Sequence, residues 1–193
     1  MRKLVTGAIA AAALFVLHRS AMGQDTNMCW PMPATRLEAF ETNTDTVLIK
    51  ATAPIGSVTG HSGTVSVRCR EITDAGTGRR ESGIIVDVAF GEQIVDSLMV
   101  DYDELDTLLD GLEYLGKVDW TVTSLPSFDA VFTTKGGFRA AAFGSRRTGS
   151  IEFAVRSARL PPRPLVLSRD QMGQLRSLVE QAKAKLDALR REK

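Results

Sequence analysis

Hydrophobic positions along this chain fall into three regimes. Residues 4–17 form one unbroken apolar run, whereas 46–100 and 129–167 alternate between apolar and polar residues in short bursts. Alternation with period two is the signature of half-buried strands. It predicts strands at 46–53, 65–72, 84–90 and 94–100, and again at 129–134, 138–143, 151–155 and 165–167, with Trp120-Thr121-Val122 as an additional short strand. Gly/Ser/Thr-rich connections lie at 56–64 and 74–83, with further turns at 135–137 and 144–149.

After each set of strands the period changes to that of a helix. Leu105, Leu108, Leu109, Leu112 and Leu115 make one apolar stripe; Met172, Leu175, Leu178, Val179, Ala182, Leu186 and Leu189 make the other. Asp101 with Glu104, and Ser168 with Gln171, have capping-box spacing, and Val100–Leu105 and Leu167–Met172 have staple spacing. Helices are therefore expected to start near 102 and 169. The acidic run from Asp101 to Asp110 reads as the solvated side of the first helix.

The two sets are related. A shift of 67 residues superposes Arg79-Arg80 on Arg146-Arg147, Ile84 on Ile151, Val88 on Val155, Leu98 on Leu165, Asp103 on Asp170, Leu108 on Leu175 and Glu113 on Glu180. These are eight identities in 37 ungapped positions, where composition gives about two, so an internal duplication is the reading. The predicted fold is α+β: two tandem ββββα-like repeats, antiparallel sheets packed on two amphipathic helices, related by a pseudo-twofold. The expected organisation is 1–23 leader, 24–44 irregular, 45–116 first repeat and 117–193 second repeat, ending in a long helix.

The order of elements over 45–190, with its two strand-to-capped-helix junctions, resembles the tandem ββββα repeats of PUR and Whirly proteins. That resemblance implies curved sheets that bind single-stranded nucleic acid. The chain has no counterpart of the Whirly lysine-glycine-lysine signature. Phe90, Phe138, Phe143 and Phe153 are the few strand aromatics in positions to stack bases, and alternation assigns them to the core. Nucleic acid is accordingly not the expected partner.

Composition changes the picture at the N-terminus. Met1-Arg2-Lys3, the run Leu4 to Leu17 and the small residues of Ala21-Met22-Gly23 have the layout of a secretory signal cut before Gln24. At 1.5 Å per residue the run spans ~21 Å, short of the ~30 Å of a bilayer core. The expectation is an exported protein, periplasmic or extracellular, with no transmembrane segment in its mature chain. Cys29 and Cys69 then remain as an even pair in an oxidising compartment, and a disulfide is expected between them.

Charge is unevenly distributed. Residues 24–134 carry seven basic and eighteen acidic side chains, net −11; residues 135–193 carry fourteen basic and five acidic, net +9. Such a split suits packing between the halves, self-association through them, or a basic face for a polyanion.

The inventory of reactive groups is short. His61 is the single histidine after Gly23 and sits beside Ser62 in a Gly-flanked turn, without a nucleophile elbow. A hydrolase using Ser62 and His61, or an acidic pair, is the enzymatic alternative to a non-enzymatic binding or structural role; no catalytic residue, metal site or cofactor is assigned. The polar feature that recurs is the arginine doublet. Arg79, Arg80, Arg146 and Arg147 sit in Gly-flanked turns, and with Arg139 they are candidate anion-binding residues, which Arg156 and Arg159 would extend. The expected partner is another protein or an anionic envelope polymer. Leu160-Pro161-Pro162-Arg163-Pro164 reads as a stiff connection into the last strand.

Overall fold

The computed structural model describes residues 32–159 and 164–191. The proposed leader, Cys29 and most of the proline-rich connection lie outside the described residues. After a short helix α1 (Arg36–Glu41), the chain forms β1 (Leu48–Thr59), β2 (Thr64–Asp74), β3 (Arg80–Phe90) and β4 (Gln93–Asp101). A 3₁₀ turn (Tyr102–Glu104) then leads into α2 (Leu105–Lys117). β5 (Ser127–Thr133), β6 (Phe138–Ser145), β7 (Ser150–Ser157), β8 (Leu165–Leu167) and α3 (Arg169–Arg191) repeat the series. The class is α+β, with two antiparallel four-stranded sheets, β1-β2-β3-β4 and β5-β6-β7-β8, each followed by its helix.

The helices are exchanged between the repeats. α3 lies on the first sheet: its Leu178 fills the space beside Gly56 of β1, and Ala182 offers its carbonyl to Cys69 of β2. α2 lies on the second sheet, where Gly111 lets the Phe132 ring of β5 approach so closely that a Cβ would sit 2.5 Å from it. The leucine stripes of both helices and the inward rows of both sheets therefore share one core, including Val67, Ile84, Leu98, Leu108, Phe138, Phe153, Leu165 and Leu175.

Equivalent residues tie each repeat to the other. The tip of the β1–β2 turn meets β8, with the His61 amide donating to the Val166 carbonyl at 3.2 Å. The β5–β6 turn meets β4, and a Cβ on Gly136 would lie 1.8 Å from the Met99 carbonyl. Met99 and Val166 are 67 residues apart. Within the repeats the last hairpin differs: Val86 opposes Leu98 in the first, whereas Val155 opposes Leu165 in the second. This displaces the pairing by two residues relative to the 67-residue frame, and an even shift keeps the same side chains facing inward.

Several expectations are corrected. Strand β1 continues through the Gly/Ser-rich stretch to Thr59, bending at an irregularity between Pro54 and Gly56. The segment before β1, read as irregular, contains α1, with a full capping box from Thr35 and Glu38. Trp120-Thr121-Val122 is turn and bend, its Trp120 ring edge-on to Phe128 at 5.4 Å between centroids. Asp101 makes no cap to the helix it precedes; its carboxylate instead accepts from the Arg36 and Leu37 amides at 2.8 and 3.0 Å, capping α1. The second capping box forms as expected, between Ser168 and Gln171.

Cys69 carries a free thiol, so the expected bridge to Cys29 is not formed. Its alternation in β2 turns Sγ inward under α3, where burial pushes the thiol pKa up.

Candidate functional site

The outer face of each sheet, opposite the helices, presents the charged side chains. On the first sheet these charges are matched. Arg68 forks onto Asp87 through Nε and Nη2, at 2.7 and 2.9 Å, and Ser97 adds its hydroxyl at 2.5 Å. Arg70 pairs with Glu41 of α1, which also meets Lys50 at 3.4 Å. Leu37, Phe40 and Ile72 form a second small apolar cluster there beneath α1.

The second sheet is different. Arg139 of β6 and Arg156 of β7 are direct cross-strand partners on its outer face. Like charges placed opposite one another on a ladder repel. Arg139 donates from Nε to the Thr133 hydroxyl at 3.1 Å, and neither guanidinium makes a carboxylate ion pair among the described residues. Beside them runs a row of small apolar residues across all four strands, Val131, Ala141, Ala154 and Val166, in register. Phe143, expected in the core, stands on this outer face instead, five residues from the inward Phe138, and the carboxylates Asp129 and Glu152 flank it on the far side of that row. The result is a shallow surface with two adjacent arginine forks at one end.

The other candidate arginines are separated from this pair. Arg146, in the turn just past the end of β6, lies seven residues from Arg139, about 23 Å at strand rise. It is a structural residue, donating to the carbonyls of Trp120, Thr123 and Leu125 at 2.9, 2.9 and 3.2 Å while stacking over the Trp120 ring. Arg147 next to it is exposed. In the first repeat, Arg79 lies over Phe40, and Arg80 lines a cavity of ≈ 390 Å³ with Arg36, Arg190, Tyr102, Glu71 and Glu81. That cavity mixes both signs. Arg36 is already held by Asp103 at 2.8 Å, and Arg190 stacks on the Tyr102 ring.

The Asp74 carboxylate organises the turn that carries Arg79 and Arg80. It accepts from the Thr46 hydroxyl at 2.6 Å and from the Gly76 and Thr77 amides at 2.8 and 3.2 Å. These bonds, the Thr46 hydroxyl foremost, lower its pKa to about 2.

Part of the charge split is internal packing. Arg176 and Lys183 of α3 reach Glu113 and Asp106 of α2, at 3.0 and 3.5 Å, and Arg159 pairs with Glu38. These contacts take up part of the acidic run of the first helix. His61 and Ser62 are exposed at the β1–β2 tip, and neither side chain makes a hydrogen bond among the described residues. Among the described residues no three His, Cys, Asp or Glu side chains gather to hold a metal ion, and no helix is long and apolar enough to cross a membrane.

No family model matches this chain, and no curated protein or solved structure matches it. The fold and the arginine pair stand as the basis for a functional reading. Sequence reasoning named Arg139 by residue type but did not place it opposite Arg156; that pairing follows from the β6–β7 register, which is set by the Ser145–Ser150 turn.

Proposed function

We propose that this chain is an exported, non-enzymatic binding protein that holds an anionic envelope polymer on the outer face of its second sheet. The observation that carries the reading is the Arg139–Arg156 pair, two cross-strand guanidinium groups with no carboxylate partner among the described residues. Planar arginine donors suit sulfate, phosphate and carboxylate groups, and a repeating polymer would offer one such group to each fork. The net +9 of residues 135–193 adds long-range attraction. Export rests on the leader-like first twenty-three residues, and an intact mass beginning at Gln24 would support it.

The test is a salt titration of binding to heparin as a model polyanion. Wild-type affinity should fall steeply with salt. Arg139→Ser with Arg156→Ser should weaken binding and flatten the salt slope by about two counterions. Arg146→Ala serves as a control that loosens the 120–126 loop without flattening the slope to that extent. Absence of heparin binding at low ionic strength overturns the polymer reading and favours an acidic protein surface as the partner.

A further inference from the structure

Among the described residues the first sheet ends at β1, a twelve-residue strand with only β2 beside it. The direction of its backbone groups follows from its neighbours. The Asp74 amide bonds the Arg79 carbonyl, toward β3, whereas the Ala75 amide bonds the Val47 carbonyl, toward β1. Alternation along both strands then turns the amides of Ile49, Ala51 and Ala53 toward β2 and those of Leu48, Lys50 and Thr52 outward. Pro54 fits this parity, because the residue without an N–H takes an outward position.

We infer that this edge is a self-association surface, on which β1 of a second copy of the chain adds antiparallel to extend the two first sheets into one eight-stranded sheet. An antiparallel pairing centred on Ala51 is self-complementary. Lys50 lies opposite Thr52, Leu48 opposite Pro54, and Ile49 opposite Ala53, so each larger side chain meets a smaller one and the two lysines are kept out of direct opposition. All three outward amides of each copy find a carbonyl, those of Lys50, Thr52 and Pro54 in the other strand. The side chains support the same pairing: Ile49 is 57% exposed although it sits on the inward row of the sheet, with Ala51 and Thr52 exposed beside it. A long edge strand with free backbone groups and exposed apolar residues is a template for another strand. Pairing about a twofold occupies the β1 edge of both copies, so the association closes at two instead of growing into an open stack, and the irregularity next to Pro54 bounds the paired segment at Leu48–Pro54.

Sedimentation velocity of the purified protein across a concentration series tests this. The interface is at the small end of stable contacts, so a monomer–dimer equilibrium near the micromolar range is expected. Thr52→Pro removes an amide that faces away from β2 and, with it, a hydroxyl that accepts from Arg70 at 2.8 Å, a loss that Thr52→Val shares. Relative to Thr52→Val it should leave the melting curve little changed and weaken the dimer at least about tenfold, since the twofold axis deletes two hydrogen bonds. In a second variant, Ala51→Cys, the two introduced thiols face each other across the axis and should give a covalent dimer under mild oxidation, mapped by peptide mass. A wild-type protein that is monomeric up to about 100 µM overturns the inference. So does a dimer unaffected by Thr52→Pro, which would place the contact elsewhere, as would capture of residues 24–31 or of another protein by this edge.

Discussion

Glu104 and Gln171, 67 residues apart, do the same work in opposite directions. The Glu104 carboxylate accepts from the Lys135 amide in the β5–β6 turn at 2.9 Å, and the Gln171 amide donates to the Thr59 carbonyl at the end of β1 at 2.7 Å. Each residue stands at the entry of its own helix and fastens the first hairpin of the other repeat. Gln171→Ala should therefore speed amide hydrogen exchange at 59–63, and Glu104→Ala at 134–137, each in the repeat that does not carry the substitution, with Gln171→Ala also exposing the Ser168 amide of its own capping box. Each loss should cost about 1–2 kcal/mol in urea denaturation. Exchange confined to the mutated residue's own repeat would contradict the crossed arrangement.

Leu108 and Leu175 are both fully buried in the shared core. Leu108→Ala and Leu175→Ala should destabilise the protein comparably, by about 2–5 kcal/mol each. Because the core is common to both repeats, unfolding should remain a single transition in both variants. A denaturation midpoint unchanged in either variant would show that its half of the core is not packed as described.

Asp101 is buried and accepts both of its amide bonds from α1. Asp101→Ala should cost about 1–2 kcal/mol, the range of a lost helix cap. The location of the damage is the informative part. Hydrogen exchange should rise at 36–41 and stay protected in α2, whereas fraying at 105–108 would mean that Asp101 caps the helix it precedes.

Asp74 gives a pH signature. Its folded pKa, about 2, lies below the ordinary value of 3.8. A depressed carboxylate stabilises the fold fully above the unfolded pKa, and that contribution is lost as pH falls from about 4 toward 2. Asp74→Asn should remove this part of the acid sensitivity. The readout is the difference in urea midpoint between about pH 5 and about pH 2.5 for both proteins; an equal difference in the two would assign the acid response to other groups.

Much of the secondary structure was legible because its signals are local. Alternation in 65–72 and 84–90 marks β2 and β3 whatever lies around them, and Ser168 with Gln171 starts α3 through contacts three residues apart. The same spacing at Asp101 and Glu104 misleads, since the competing donors, the amides of Arg36, Leu37 and Lys135, come from segments distant in sequence. For the candidate site, residue types pointed to arginines in turns and on β6. Nothing local separates Arg146 from Arg147, and both are exposed, yet Arg146 alone is held by three carbonyls.

The sequence by itself determined the α+β class, the ββββα order and the apolar face of each helix, because periods of two and 3.6 are properties of a strand or a helix alone. Only the tertiary structure decided that α2 covers the second sheet and α3 the first, that Asp101 serves α1, and that Arg139 stands opposite Arg156. A leucine stripe states that a face must leave water and is indifferent to which sheet receives it. The choice is made by fit between distant residues, such as Gly111 against Phe132 and Gly56 against Leu178.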